Sequence, residues 1–216
     1  MDKTSIENPG FLHYRLEADT LCLGERIRGS LFRPCLSVFT YTALIGALKV
    51  RFPQPYRKVH AVGRFLRDGP DANRREIMTF SPRDRGREVS VVPLEIEYLA
   101  NVRAEIFILK NDFTINFPGQ FTFHLGAMKS KGFGQSHMTR IGETQRANPQ
   151  PGKLAVRIPD KPQIHAELGI RRVAAPIYGY LFQPETGGTG HYTRALFEGS
   201  QVVADPSLLQ PKEANS

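Results

Sequence analysis

The sequence predicts an α+β fold in which one helix of useful length packs on an antiparallel sheet. Three observations support this prediction: a strongly alternating strand near the start of the chain, a helix after it, and several further strand-like runs. Adjacent strands with a single helix among them are typical of a two-layer sandwich. The length of 216 residues and the hydrophobic fraction of 40% are sufficient for an ordinary globular core.

The first strand and the helix have the clearest local signals. Residues 11–18, FLHYRLEA, alternate apolar and polar side chains with the period of a half-buried strand. In VFTYTALIGALKVRF, Thr40 is suited to be the N-cap of a helix, and Phe39 and Leu44 have the spacing of a hydrophobic staple. We expect Pro53 to end this helix. Its buried face is predicted to comprise Tyr41, Leu44, Ile45 and Leu48.

The middle of the chain reads as further strands. Residues 57–88 carry recurring Arg and Lys around two strand-like runs, HAVGRFL and EIMTF, and predict a basic hairpin with a mobile tip. LEIEYL and VRAEIFILK follow, separated by Ala100 and Asn101, and are predicted as two strands. FTFHLG is the next strand-like run and leads into a glycine-rich loop.

The last third of the chain is predicted to be rich in β-hairpins. Residues 145–153 are polar with two prolines, which favours a linker or an exposed loop. PIYGYLFQP and HYTRALFEG flank the glycine-rich ETGGTG and suit a hairpin, whereas the tail PSLLQPKEANS is expected to fray. We therefore predict a domain over 1–145, with the basic hairpin inserted at about 57–88, and a C-terminal extension over 146–216.

Charge and cysteine usage narrow the function classes. A formal net charge of +8 favours association with nucleic acid or with an anionic membrane. No apolar run approaches the roughly 18 residues of a membrane span, and the first ten residues do not resemble a secretory signal, so we expect a cytoplasmic protein. Cys22 and Cys35 form neither a disulfide framework nor a zinc spacing, and we interpret them as buried structural thiols.

The glycine loop is the strongest candidate site. In residues 121–138, FTFHLGAMKSKGFGQSHM, three glycines (Gly126, Gly132 and Gly134) accompany Lys129, Lys131 and Phe133. The spacing fits neither a P-loop nor the dinucleotide fingerprint. Amides and ammonium groups beside an aromatic ring suit single-stranded RNA, whose phosphates and bases they contact. The alternative is an ordinary hairpin turn with a core phenylalanine and solvated lysines.

Two motifs resemble a known family. FHLG-x-x-KSKGFG resembles the glycine-rich loop of the RAMP superfamily of CRISPR-associated proteins, and SVFTYTALIGAL, residues 37–48, is similar to the first helix of one branch. That branch is the subunit that caps the 5′ handle of the guide RNA in multi-subunit effector complexes of antiviral defence. The resemblance implies a ferredoxin-like, RNA-recognition-type fold over roughly residues 10–145. It leaves type I, type III and type IV effectors open.

The resemblance also implies a site and partners. Residues 57–88 correspond to a thumb that inserts between guide nucleotides and touches a neighbouring backbone subunit. The implied partners are the guide RNA, backbone RAMP subunits and a large subunit, with target DNA met only indirectly, and no cofactor is implied. The implied RNA-binding residues are Gly126, Lys129, Lys131, Gly132, Phe133, Gly134, Gln135, Tyr41, Arg33 and Arg51.

Catalysis is weighed against binding alone. Some RAMP proteins cleave the guide precursor without metal by using histidine or tyrosine with lysines. Here His124 and His137 bracket the loop, but Phe52 lies near the position where cleaving relatives resemble one another in having a tyrosine, and no Lys-His dipeptide occurs. No histidine pair has a metal-ligand spacing. We predict a non-catalytic binder; the alternatives are a metal-independent endoribonuclease and a module that binds other structured RNA.

Overall fold

The longest strand organises the main sheet. The computed structural model describes residues 9–24, 31–54, 58–81, 92–184 and 189–211. Strand β5 (Leu94–Leu109) pairs antiparallel with β1 (Phe11–Leu21) along one edge. Along its other edge β5 pairs with β3 (Ala61–Phe65) and then with β4 (Arg74–Phe80), both antiparallel. Sixteen residues are long enough for both partners to lie end to end.

Strand β1 lies at the centre of this sheet, as its near-complete burial requires. Its second edge pairs with β7 (Gln135–Thr144), and β6 (Gln120–His124) continues the sheet beyond β7. The pairing is antiparallel throughout, apart from β2 (Phe32–Arg33), which adds a short parallel pair to β5. The predicted α+β class and the largely antiparallel sheet are therefore confirmed, and the sheet is mixed at one edge.

The predicted helix is present as α1 (Tyr41–Arg51). Thr40 caps it, because its side chain accepts a hydrogen bond of 3.2 Å from the Ala43 amide. All four side chains predicted for its inner face are buried, and the helix ends before Pro53 as expected. Its basic last turn, with Lys49 and Arg51, is favourable beside the carbonyl end of the helix dipole.

The path from β1 through α1 to β3, with β5 between the two strands, is a split β-α-β unit. Between β5 and β7, all of whose residues are described, the chain forms β6 and two 3-10 turns, at Thr114–Asn116 and Lys129–Lys131. A ferredoxin-like fold usually has a second helix at this point. The ferredoxin-like assignment stays a prediction.

Two predictions in the middle of the chain are wrong. The segment predicted as a hairpin contributes β3 and β4, which pair with β5 rather than with each other. Its tip, residues 82–91, lies outside the described residues. The two runs separated by Ala100 and Asn101 are one strand, because Asn101 adopts a φ of +51° within β5 without ending it. Asn73 stabilises this irregularity: its amide donates to the Asn101 carbonyl at 3.0 Å, and its side chain accepts from Arg103 at 2.9 Å.

Two small sheets and a short helix form the C-terminal part. The predicted hairpin is confirmed, since β11 and β12 pair antiparallel; its connection, residues 185–188, lies outside the described residues. The two sheets have the orders β10-β13-β8 and β11-β12-β9. The elements are β8 (Gln150–Lys153), β9 (Ile158–Pro159), α2 (Pro162–Leu168), β10 (Arg172–Ala175), β11 (Tyr178–Pro184), β12 (Gly190–Leu196) and β13 (Gln201–Ala204).

The predicted linker and frayed tail are corrected by this arrangement. The end of the predicted linker, Gln150–Lys153, is strand β8 and pairs with β13. Leu208 and Leu209 of the tail are buried, and Leu209 is tied to the main sheet by a hydrogen bond of 3.1 Å from Arg64 to its carbonyl. These side chains belong to one hydrophobic core that runs from Phe11 to Leu209. The boundary predicted at residue 145 stays a prediction, and the core continues across it.

Candidate RNA-binding loop and groove

The glycine loop joins β6 to β7 and lies against the end of the central strand β1. Gly126, Gly132 and Gly134 have φ angles of +84°, +87° and +80°, so all three use the left-handed region that glycine adopts most readily. Met128 is also left-handed, with a φ of +58°, and begins the 3-10 turn that carries both lysines. The loop therefore has a defined backbone rather than an extended one.

Backbone hydrogen bonds hold both ends of the loop. The Ala127 amide donates to the Cys22 carbonyl at 2.7 Å, and the Gly134 amide donates to the Thr20 carbonyl at 2.9 Å. A Cβ at Gly126 would lie 2.4 Å from the Cys22 oxygen, and one at Gly134 would lie 2.0 Å from the Leu125 oxygen. At these two glycines the close approach that the sequence predicted for a ligand is an approach of the chain to itself.

The tip of the loop is different. A Cβ at Gly132 would meet no atom within 4 Å, so this glycine leaves an open position between two exposed lysines. The Lys131 ammonium lies 4.3 Å from the centre of the Phe80 ring, on the β4 side of the loop. Lys129 faces the opposite side, where it lines a groove. Two positive charges thus flank an unobstructed stretch of backbone.

Phe133 lies inside the protein. Its side chain is 8% exposed and meets Tyr98 edge to face, with ring centroids 5.1 Å apart. It packs in a small cluster with Cys22 and Ile96, so its position is the one that the core alternative describes. Burial of this ring fixes the β7 end of the loop, and we remove base stacking from its predicted role because the ring is covered.

The remaining predicted residues lie at different distances from the loop. Gln135 is exposed at the first position of β7, and Arg51 is exposed at the end of α1, where its Nε donates to the Thr122 carbonyl at 3.0 Å. Tyr41 is buried and shares a hydrogen bond of 2.8 Å with Nδ1 of His60, and burial raises the pKa of Tyr41. The structure therefore keeps the Tyr41 hydroxyl inside the protein.

Arg33 lies on the same side of the sheet as the loop. It is half-buried in β2, beside the end of β1. A hydrogen bond with Cys35 lowers the pKa of the Cys22 thiol, and the positive charge of Arg33 acts in the same direction. Both cysteines are buried free thiols, which confirms their structural interpretation. Because the Cys22 carbonyl anchors the loop, Arg33 adds positive charge close to the loop's base.

The sequence did not reveal a groove of about 850 Å³ beside Lys129. Its walls are the outer face of α1, the glycine loop with the end of β1, and the hairpin of β11 and β12. A glycine inside a helix and alternating aromatic residues in IYGYLF were the only signals that could have indicated it. Side chains that define it include Ala43, Lys129, Tyr180, Phe182, Tyr192 and Phe197.

The two histidines that bracket the loop share one exposed face of the sheet. His137 on β7 pairs with Thr122, and His124 on β6 pairs with Gln135, so the histidines are diagonal neighbours across two strands. Both are exposed. The other three described histidines with shifted pKa values, His13, His60 and His165, are in the interior, where burial lowers their pKa.

Metal and membrane features are not found in the part of the chain that the structure describes. There, no three or more His, Cys, Asp or Glu side chains are grouped to hold a metal ion. Nor is any helix of these described residues both long and apolar enough to cross a bilayer. The cytoplasmic location and the absence of a cofactor stay predictions.

Comparisons with known proteins indicate the fold. No family model and no curated protein matches the chain. A chain of a cryo-EM structure of the Type III-B Cmr-beta bound to cognate target RNA matches with a TM-score of 0.56 and 9% identity, over 88% of this chain and 86% of that chain. A chain of the same complex bound to target RNA and AMPPnP matches with a TM-score of 0.58 and 8% identity, over 88% and 85%.

A chain of a CRISPR RNA-guided surveillance complex also matches, over 95% of both chains with 14% identity, but its TM-score of 0.46 is too low to carry an argument. At these identities the two Cmr-beta matches show a shared fold. The class of protein follows from them: the chain has an α+β, RAMP-like fold that also occurs in a CRISPR effector complex.

Proposed function

We propose that the chain is a subunit of a CRISPR effector complex that binds the 5′ handle of the guide RNA without cleaving it. The RAMP-like fold supports membership of such a complex, since the matched Cmr-beta chains belong to an assembly bound to target RNA. The sequence resemblance supports the narrower role of capping the handle. In this proposal the main sheet with α1 acts as the ferredoxin-like RNA-binding domain.

The observation that carries the proposal is the architecture of the glycine loop. Its ends are hydrogen-bonded to β1, while its tip presents Lys129, the open backbone at Gly132, and Lys131. A rigid turn with two ammonium groups and accessible amides suits the phosphates of a short single strand. Arg33 adds charge at the base of the loop, and exposed Gln135 offers an amide to a base edge.

The proposal includes protein partners. A subunit at the end of a guide RNA contacts the backbone subunit that holds the next nucleotides, and base pairing reads the target. The segment 57–88 is the proposed contact with that subunit and with the large subunit's side of the complex. Its described arginines are partly compensated, since Arg75 lies 3.2 Å from Glu97 and Arg74 hydrogen-bonds to Glu76. This balance favours a protein contact over a phosphate contact for β4.

The test is the salt dependence of RNA affinity. Replacing Lys129 and Lys131 together by alanine should weaken binding of guide RNA and reduce the slope of log K against log salt by about 0.7 for each lysine that neutralises a phosphate. The matched control replaces Lys153 and Lys161, two exposed lysines outside the loop, by alanine. Both variants lose two charges, so an equal effect of both would attribute binding to net charge and refute the loop.

A second candidate, metal-independent cleavage, is favoured by the diagonal pair His124 and His137 beside the loop. Two histidines that share a face can divide the acid and base roles in RNA cleavage. Labelled repeat RNA incubated with the protein in EDTA should stay intact under our proposal. A discrete cut that disappears in both His124→Ala and His137→Ala would establish the enzyme instead.

The third alternative, a binder of structured RNA outside CRISPR systems, predicts a different purification. A capping subunit should purify with a guide RNA of uniform 5′ end and with several unlike protein chains. RNA of mixed ends without protein partners would contradict the proposal and favour the alternative.

A further inference from the structure

The groove beside Lys129 has three walls of different chemistry. One wall is the outer face of α1, with Ala43 and Gly46; the second is the glycine loop, with Lys129; the third is the β11 and β12 hairpin, with Tyr180 and Tyr192. Its volume of about 850 Å³ lies within the usual range for small-ligand sites of about 300–1,000 Å³.

The hairpin wall presents aromatic faces to solvent. Tyr180 pairs with Arg194, and Phe182 pairs with Tyr192, so the three rings project from the same face of the hairpin. Tyr180 is 67% exposed and Tyr192 is 60% exposed. Tyr192 is held in place by an edge contact with Phe182, their centroids 5.5 Å apart. Two ordered, exposed rings at one groove form a stacking surface for flat groups.

The floor of the groove contains a glycine that packing does not require. A Cβ at Gly46 would meet no atom within 4 Å, and the residue lies in the interior of α1. Glycine is the poorest helix former after proline, so alanine here would be the better choice for stability. The glycine keeps the groove deep next to Ala43 and exposes the helix to whatever occupies it.

Charge selects the occupant. Among the described residues that line the groove there are two cations, Lys129 and Arg157, and no carboxylate. Arg157 is hydrogen-bonded to Glu198 at 2.7 and 2.9 Å, and lies 4.1 Å from the Phe197 ring centre. Burial acts to raise the pKa of Glu198, but the bonds to Arg157 outweigh it and hold the pKa low. The ion pair builds the wall, and Lys129 remains to meet an anion.

We infer that the groove binds unpaired nucleotides of single-stranded RNA, with bases stacked on Tyr180 and Tyr192 and a phosphate at Lys129. Aromatic faces with a cation at the opposite rim are the combination that single-strand sites use. The inference rests on the proposed function, because Lys129 belongs to both the loop and the groove. It adds a second contact surface, on the C-terminal hairpin, to the backbone contacts of the loop tip.

The test measures affinity of the full chain for an unstructured RNA oligonucleotide at several salt concentrations. Tyr180→Leu with Tyr192→Leu keeps apolar surface but removes the rings, and should lower affinity about 5- to 150-fold per lost stack with an unchanged salt slope. Tyr180→Phe with Tyr192→Phe should restore it. The matched control is Tyr178→Leu, because Tyr178 is 51% exposed on the same hairpin face but lies outside the groove under Arg194.

A second variant tests the floor independently. Gly46→Leu should fill the groove, lower RNA affinity and raise the melting temperature, because leucine is the better helix residue. Lower affinity with unchanged or lower stability would count against open space at this position; if the variant does not fold, the space is refuted and the tyrosine variants decide the binding.

The outcomes separate this inference from the proposed function. If the wild-type protein shows no salt-dependent RNA binding, the proposed function fails and the inference falls with it. If the lysine variant loses slope but the leucine variants bind like the wild type, the function stands and the groove inference is overturned. If the leucine variants keep RNA affinity but lose their co-purifying protein chains, the groove binds a protein and the inference is also overturned.

Discussion

Gly134→Ala and Gly132→Ala together test how the glycine loop is built. Both residues are left-handed, so a Cβ at either costs about 1–2 kcal/mol of backbone strain. At Gly132 nothing further is expected, because the added methyl group meets no atom within 4 Å. At Gly134 the methyl group would lie 2.0 Å from the Leu125 oxygen, and main chain cannot rotate away as a side chain can.

Relief of that clash requires the loop to separate from its neighbours. Two hydrogen bonds are then lost, from the Leu125 amide to the Gly134 carbonyl at 2.8 Å and from the Gly134 amide to the Thr20 carbonyl at 2.9 Å. At about 0.5–1.5 kcal/mol each, they bring the expected loss for Gly134→Ala to about 2–5 kcal/mol. Gly132→Ala should lose only about 1–2 kcal/mol.

Urea titration followed by far-ultraviolet circular dichroism measures both losses, and thermal unfolding should show about 2–4 °C per kcal/mol for a chain of this size. RNA affinity should fall in Gly134→Ala, because the lysines are no longer held on a fixed turn. Equal stability losses in the two variants, or an intact loop in Gly134→Ala, would refute the reasoning.

Three further predictions follow from the interior. Leu208→Ala should cost about 2–5 kcal/mol in urea unfolding, because the side chain is fully buried; a loss below that of Val50→Ala, which removes an exposed side chain, would restore the frayed tail. Tyr41→Phe should cost about 1–3 kcal/mol by leaving His60 Nδ1 unpaired, and a neutral effect would contradict that hydrogen bond. Because burial holds the pKa values of His13, His60 and His165 below their unfolded values, the unfolded chain binds more protons, and stability should fall as the pH falls from about 6.5, by up to about 1.4 kcal/mol per pH unit for each histidine until its folded pKa is passed; urea midpoints that stay constant or rise on acidification would contradict this.

Local signals predicted the elements that depend on neighbouring residues. The N-cap at Thr40 and the apolar spacing of α1 lie within one stretch of chain, and strand β1 alternates because only one of its faces was required to read as buried. The hairpin of β11 and β12 follows from two strand-like runs and a short glycine-rich connection. The fold class could be predicted because these signals agree.

Features that depend on distant contacts could not be predicted. Ala100 and Asn101 read as a turn, since asparagine favours the left-handed region, but Asn73 bridges the irregularity from another strand. Pairing of β3 and β4 with one long strand is equally non-local.

The candidate site divides in the same way. The glycines and lysines of the loop could be read from their spacing, whereas the position of Phe133 is set by Tyr98, far away in the chain. The groove joins residues near 46, 129 and 180, and no short window of sequence contains its three walls.

The central claim is that the loop tip around Lys129 and Lys131 contacts the 5′ end of the guide RNA. Ultraviolet cross-linking of the purified complex, with mass spectrometry of the peptides and sequencing of the attached RNA, tests it most directly. We predict cross-links within residues 126–135 to nucleotides at the 5′ end. Cross-links of those nucleotides only to other surfaces, or of the loop only to internal or 3′ nucleotides, would contradict the account.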